Sequence, residues 1–567
     1  MMRFSSWVGA RRTADHEPDE RRTPTRDDHA DRQTSVERRR RALHPRERQP
    51  INPKPWRSER RASAGALAAT CLTALASCAC AAPARAERSA SYGTVAFNAG
   101  LVAGKTVAQR TAAYRRLRAA GVQAIRLDLT WVDVERPDRL HRYDFTALDR
   151  AVAPITAAGL KVIGILDYGN PAYSTAGALA AQGPASGGLP PFAVGNAQYF
   201  PPDHPADFAR YVTATVRHFA GRVVGWEVWN EENEGYRFWE PREDPAAYGR
   251  LLCAAHAAVR AVDPRAPVVF GGVFFPAVAG APGTSGPDFV RAAYDAVPGL
   301  GRCFDVLAYH PYAYPFTAPE LDVPARGSVL SAADEMRAVL AHHRDAHKPL
   351  WITEVGWPTS AGYGVSEVKQ AQYAARMQAA TFAQGIALLT WYTYGDDADP
   401  TGANQEAHFG FFRQDGSAKP AYRALVTFAR VFRGARFIAD RSRAFGLPPG
   451  RLLLGGRGFA LAYRSSRATI TALWLATESA GEAQGPLPAG GTATPGRLPL
   501  SVPVRGREVT VIDYFGHSRR VRSRHGRISL ALGAGPVYLV DAARPRRRPV
   551  ARRPALHRAR RRARFTG

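Results

Sequence analysis

Two apolar runs in this sequence end on carboxylates. Residues 224–234 begin with Val224, Gly225 and Trp226 and finish in a cluster of amide and acid groups: Asn230, Glu231, Glu232, Asn233 and Glu234. Residues 349–358 rise through Leu350, Trp351 and Ile352 to Glu354. A βα barrel puts its chemistry at the carboxyl ends of its strands, and both runs have that form. Carboxylates on two separate barrel strands suit the hydrolysis of a glycosidic bond with retention, one acting as acid/base and the other as nucleophile. Glu231 is the expected acid/base and Glu354 the expected nucleophile.

Side chains alternate along a strand, so Glu227, Trp229 and Glu231 are expected on one face, with Glu231 nearest the open mouth. Asn230 is placed to bond a sugar 2-hydroxyl. Glu232 and Glu234 lie beyond the strand, where a solvated loop charge is the simpler reading. The chemistry requires one carboxyl to be protonated while the other is ionised, with the two groups about 5–5.5 Å apart.

The elements that must hold these groups follow from periodicity. From residue 92 onward, apolar strand-like runs alternate with helical patterns, which predicts a parallel α/β architecture. Strands are expected at 94–98, 122–129, 160–166, from 223, and at 267–271, 304–310, 350–354 and 386–392. Helices are expected at 106–120, 145–158, 203–220, 245–262, 287–296, 329–344, 366–384 and 421–432, with Asp144 and Asp244-Pro245 as N-terminal signals. Eight such pairs fit a (β/α)8 TIM barrel over residues 92–432. Periodicity equally admits an open doubly wound sheet, but polar and aromatic residues end many different strands, and only closure makes those ends converge. The Gly/Pro-rich stretch 169–202, with Tyr173, Phe192, Tyr199 and Phe200, is expected to form a cleft wall or lid. Past residue 433, short β-rich runs at 459–464, 468–474, 508–514 and 537–540 predict a small antiparallel β-sandwich domain over 433–542. The Gly/Pro-rich loop 479–499 interrupts it.

The formal net charge of +28 over 567 residues looks like that of a nucleic-acid binder. Most of the excess, however, lies in an Arg-rich extension at 1–61 and a basic tail at 543–567. Charged ends of this kind are read as disordered and solvated, with no specific nucleic-acid partner. Residues 62–86 are apolar after Arg60-Arg61 and end on Ala84-Arg85-Ala86, which reads as a signal peptide and predicts export to the periplasm, cell envelope or medium. A single membrane anchor is the alternative. The segment 75–78 also resembles a lipobox, which would lipidate Cys78 and tether the protein to a membrane. The sixty residues before it suggest a translation start further downstream. Cys253 and Cys303 are the two cysteines beyond the leader. They are read as buried free thiols, although export would permit a disulfide. Neither has ligand-like spacing with a histidine, so no metal or other cofactor is expected.

Trp229-Asn230-Glu231 resembles the Asn-Glu motif after strand four of the clan A retaining glycoside hydrolases, and Ile352-Thr353-Glu354 resembles their nucleophile segment. His310-Pro311-Tyr312 is similar to the His-x-Tyr found after strand six in many members. The resemblance implies that Tyr312 bonds the nucleophile and that His310 lines the subsite of cleavage. It also implies that Arg126 sits beside the nucleophile and that Trp391 is an aromatic sugar platform on strand eight. Residues 226–233 look most like family 39 and its polysaccharide-degrading relatives, whereas Glu354 to Pro358 looks more like family 17. Asp167-Tyr168 departs from family 5, where a histidine is often found. Among the other aromatics, Trp226, Trp229, Trp351 and Trp357 read as core. Tyr392 and Tyr394 read as further sugar-stacking candidates, and Tyr236 and Trp239 as an extension to a second sugar. Asp396, Asp397 and Asp399 read as a solvated loop. The resulting expectation is an exported retaining glycosidase acting on a β-linked polysaccharide or oligosaccharide. The competing one is a catalytically idle carbohydrate-binding barrel serving polymer assembly or export.

Overall fold

The computed structural model describes residues 94–98, 106–182, 197–235, 237–275, 283–313, 316–321, 328–362, 364–447, 457–476 and 498–542. The N-terminal extension, the leader with Cys78, the basic tail, Phe192, Tyr236 and most of the 479–499 loop lie outside them. Eight parallel strands close into a barrel in sequence order. They are β1 (Thr94–Asn98), β2 (Ala124–Asp128), β3 (Lys161–Leu166), β4 (Val223–Asn230), β5 (Val268–Phe274), β6 (Val306–His310), β7 (Leu350–Val355) and β8 (Leu388–Trp391).

Around them run α1 (Val107–Ala119), the short α2 (Trp131–Val134), α3 (Thr146–Ala157), α4 (Thr175–Ala181), α5 (Pro205–Phe219) and α6 (Pro245–Val262). The series continues with α7 (Gly286–Ala296), α8 (Val329–His342), α9 (Glu367–Ala383) and α10 (Pro420–Phe432). The helix starts are chemically marked. Thr106 and Gln109 form a reciprocal capping box, and Asp244 accepts from the amides of Ala246 and Ala247 ahead of Pro245. Short α2 and α4 lie inside connections that sequence periodicity leaves as loop.

The lower barrel is filled by one apolar cluster: Ala96, Ala124, Ile163, Val269, Val306, Ala308, Trp351 and Leu388. β4 contributes Gly225 at this level, because a Cβ there would sit 2.7 Å from the Trp351 indole. This plug is the floor of the site above it.

After the barrel come β9 (Arg436–Asp440), β10 (Arg457–Arg464), β11 (Ala468–Ala476), β12 (Leu498–Pro503), β13 (Glu508–Asp513), β14 (Ser518–Arg522), β15 (Arg527–Leu532) and β16 (Val537–Ala542). Six form an antiparallel sheet in the order β14-β13-β16-β11-β10-β9, and β12 pairs with β15. Leu473, Leu475, Val509, Val511 and Leu539 meet Val502, Ile528, Leu530 and Leu532 in a core of their own, as in a sandwich. The sandwich is welded to the barrel through buried charge. Arg376 on α9 is fully buried, donates to the carbonyls of Ala534 and Leu475, and pairs with Glu320 at 3.5 Å. Glu320 also accepts from the Trp474 indole at 2.8 Å.

The expectation of free thiols is corrected: Cys253 on α6 and Cys303 form a disulfide. It ties α6 to the segment entering β6. No helix among the described residues is long and apolar enough to cross a membrane.

Candidate active site

The site is built at the top of the barrel, where β4 departs from regular geometry. Trp229 and Glu231 have φ values of 70° and 50°, in the left-handed region that non-glycine residues adopt at a cost. The expected alternation therefore fails. Trp229 turns outward, donating from its indole to the Phe238 carbonyl at 2.7 Å and packing against Trp239 and Phe208. Glu227, Asn230 and Glu231 all serve the interior instead. On β7 the pairing with β8 shifts register between Ile352 and Val355, and Thr353 and Glu354 both reach the interior network.

Arg126, on β2 and 3% exposed, is the hub. It grips Glu227 with two nitrogens at 2.9 and 3.0 Å, donates to Asn230 Oδ1 at 2.9 Å and reaches Glu354 Oε1 at 2.6 Å. Burial alone would lower its pKa, but the Glu227 and Glu354 charges outweigh that and hold the guanidinium ionised well above its usual range. Tyr312 donates to Glu354 Oε2 at 2.9 Å. Burial first, then the Glu354 charge, pushes this phenol well up, so it remains a neutral donor. Asn230 donates in turn to the Tyr168 hydroxyl at 3.2 Å.

His310 has no solvent exposure and faces two ways. Its Nδ1 lies 2.8 Å from Glu231 Oε1 and its Nε2 lies 3.1 Å from the Thr353 hydroxyl. That hydroxyl donates to Glu227 Oε1 at 2.9 Å. A hydroxyl has one proton to give, so Thr353 accepts from His310 and Nε2 carries a hydrogen. Nδ1 then shares a single proton with Glu231. Room for this network comes from Gly272, where a Cβ would fall 2.1 Å from His310 Nε2 and 2.8 Å from Glu227 Oε1.

One oxygen of Glu231, one of Glu354 and one ring nitrogen of His310 all lie within 4.8 Å of one another. Such a trio has the donor types of a metal site, but the Arg126 guanidinium already holds Glu354 and would repel a second cation. At the rim, Arg237 lies 3.5 Å from Glu231 Oε2 and 3.8 Å from Glu234 Oε2. Burial, with the Glu231 charge second, raises Glu234 to about 8. Burial raises Glu406 to about 7, and Glu406 receives the Tyr392 hydroxyl at 3.4 Å.

Of the residues expected from sequence, Arg126, Asn230, Glu231, His310, Tyr312 and Glu354 converge. Trp391 does not. It is fully buried against Phe411 and Trp357 and presents no face to a sugar. Its half-buried neighbour Tyr392 stands beside Tyr312 instead. Tyr394 and Trp239 are likewise buried, against Phe412 and Trp229. Asp396, read as part of a solvated loop, is bound by Lys419 at 2.8 Å. Sequence reasoning missed Glu227 as a structural anion and gave Thr353 no role of its own.

Fold and site together define an eight-stranded βα barrel with two facing carboxylates. Neither a protein-family model nor a curated protein matches the sequence. Solved structures do resemble it. A family 39 glycoside hydrolase from Bacteroides cellulosilyticus superposes with a TM-score of 0.58 at 22% identity, over 80% of this chain and 81% of that one. A family 39 enzyme from Xanthomonas axonopodis pv. citri gives 0.51 at 18% identity over 79% and 94%, and a monomeric β-xylosidase from Caulobacter crescentus gives 0.52 at 16% over 79% and 96%. At these identities the shared property is the fold.

Proposed function

We propose that this chain is a retaining glycoside hydrolase that cleaves β-glycosidic bonds in a polysaccharide or oligosaccharide by double displacement. The observation that carries the reading is the approach of Glu231 and Glu354 oxygens to within 4.8 Å. Retaining enzymes hold their carboxyl groups about 5–5.5 Å apart, whereas inverting enzymes leave roughly 6.5–9.5 Å for a water. Glu354, held ionised by Arg126 and Tyr312, attacks the anomeric carbon while Glu231 gives its proton to the leaving oxygen. The resulting glycosyl ester on Glu354 is released by a water whose proton returns to Glu231. Asn230 is the group placed for the sugar 2-hydroxyl, and Tyr392 takes the stacking role first assigned to Trp391. Residues 62–86 would export the enzyme, and a lipid on Cys78 would tether it.

The β-xylosidase neighbour makes aryl β-xylosides the first substrates to try, followed by β-glucosides, xylan and β-glucans. In the wild type, the first-formed product should keep the β configuration by NMR. A dinitrophenyl 2-deoxy-2-fluoro glycoside should release dinitrophenol and leave its fluoroglycosyl group on the peptide carrying Glu354. Equal turnover by the wild type and Glu354→Ala would remove Glu354 from the mechanism and sink the proposal, and turnover by neither across the panel would leave an idle binding barrel.

A further inference from the structure

The charge of this chain is not spread evenly. Residues 92–432 hold 31 Lys and Arg against 32 Asp and Glu, whereas residues 433–542 hold 16 against 6. The barrel is neutral and the sandwich strongly basic, so a general bias towards arginine does not account for it.

Much of the excess gathers at one edge of the sandwich. β14 is an edge strand, and its Arg519, Arg520 and Arg522 are exposed, as are Arg505, Arg507, Arg524 and Arg527 in and beside the adjoining turns. Arg520 pairs opposite Thr510 and Arg522 opposite Glu508. Val509 and Val511 are buried in the sandwich core, so the alternate positions carrying Arg520 and Arg522 face outward. The turn bearing Arg505 and Arg507 is fastened to the turn bearing Arg522 and Arg524. Ser523 donates from its amide to the Arg507 carbonyl at 2.8 Å and from its hydroxyl to the Gly506 carbonyl at 2.9 Å. The Val504 amide donates to the Gly526 carbonyl at 2.9 Å.

Few of these charges are neutralised. Arg520 pairs loosely with Glu508 at 3.7 Å, and Arg527 is used by Ser501. Among the described residues, Arg505, Arg507, Arg519, Arg522 and Arg524 form no ion pair. A charge or two suffices to keep an edge strand from pairing with another chain. Seven arginines across two joined turns and a strand exceed that need.

We propose that this arginine-rich edge binds a polyanionic, uronate-bearing polysaccharide and keeps the polymer beside the barrel. The planar guanidinium fork matches a carboxylate in two hydrogen bonds, which favours sugar carboxylates as the recognised group. Alternate arginines on β14 stand ~7 Å apart, so an extended polymer meets them in series. The choice of a polysaccharide among polyanions rests on the glycosidase reading; the binding surface itself does not.

The test compares the full chain with a variant carrying Arg505→Gln, Arg507→Gln, Arg522→Gln and Arg524→Gln, chosen because these side chains make no ion pair and their loss should leave the melting temperature unchanged. The probes are polygalacturonate, neutral xylan, double-stranded DNA and anionic phospholipid vesicles. Wild type should bind polygalacturonate in a salt-dependent way, whereas whatever neutral xylan it holds should be indifferent to salt and unchanged in the variant. With four charges engaged, raising salt from about 50 to about 200 mM should weaken binding ~50-fold. The variant should bind more weakly than wild type and with a shallower salt slope, while Glu354→Ala binds like wild type whatever its turnover. Retention of the variant equal to wild type overturns the proposal. So does a variant that loses only DNA or vesicle binding, which would give the edge to those partners.

Discussion

Thr353→Val isolates the part of the site that governs the proton. Valine has nearly the shape of threonine but no hydroxyl, so His310 Nε2 loses the acceptor at 3.1 Å, while Glu227 keeps both Arg126 bonds. In the wild type, Thr353 keeps the hydrogen on Nε2. The Nδ1 lone pair then faces Glu231 at 2.8 Å and needs a proton on that carboxyl or between the two. Without Thr353 the ring can carry its hydrogen on Nδ1 and donate to Glu231, which leaves the carboxyl with no proton for the leaving oxygen. A net hydrogen bond of about 0.5–1.5 kcal/mol corresponds to a fall in kcat/KM on an alkyl glycoside of roughly two- to tenfold. Thr353→Ser should restore the wild-type value. Loss of leaving-group protonation should also show in the substrate: a dinitrophenyl glycoside, whose leaving group needs no proton, should be affected far less than an alkyl glycoside. The buried Nε2–H left without a partner costs about 1–3 kcal/mol of stability, so melting temperature alone does not decide the matter. Equal kcat/KM on the alkyl glycoside for wild type, Thr353→Val and Thr353→Ser would refute the reasoning.

Two other predictions concern stability. Burial raises Glu240 to about 7, and neither carboxyl oxygen has a hydrogen-bond partner among the described residues. Its unfolded-state value is near ~4.3, so the native state binds the proton more tightly and stability falls as pH rises through that window. Glu240→Gln should therefore melt like wild type near pH 4 and above it at pH 8; matching curves at both values would count against this account. Replacing Cys253 and Cys303 together by serine opens a loop of 50 residues, for which chain entropy predicts a loss of about 4 kcal/mol. Denaturant titration of the double variant, or of reduced wild type, measures it, and an unchanged midpoint would contradict the bridge.

The barrel and the pair of carboxylates were legible because their signals are local. Apolar runs closed by Glu231 and Glu354, and helix starts such as Asp244-Pro245, are written in adjacent residues. What stayed hidden depends on partners distant in the chain. Trp229 faces outward because the end of β4 leaves the extended region, and alternation cannot foresee that. Thr353 enters the interior through a register shift set by β8. Glu227 looked like a poorer acid than Glu231, and only the fold shows Arg126 clasping it. Trp391 and Tyr392 are neighbours of similar chemistry, and which of them meets the cleft is decided by where β8 ends. In the sandwich, β12 carries Pro499 and Pro503 and β14 is mostly arginine, so neither has the apolar alternation by which strands are recognised.

The Arg376, Glu320 and Trp474 junction makes the two halves of the molecule thermodynamically inseparable. A shortened chain ending at α10 would strip Arg376 of two of its three hydrogen bonds, those to the Ala534 and Leu475 carbonyls, and Glu320 of the indole, leaving both charges on a newly wetted surface. Heating should therefore melt barrel and sandwich in one transition, and attempts to express the catalytic half alone should give aggregated protein.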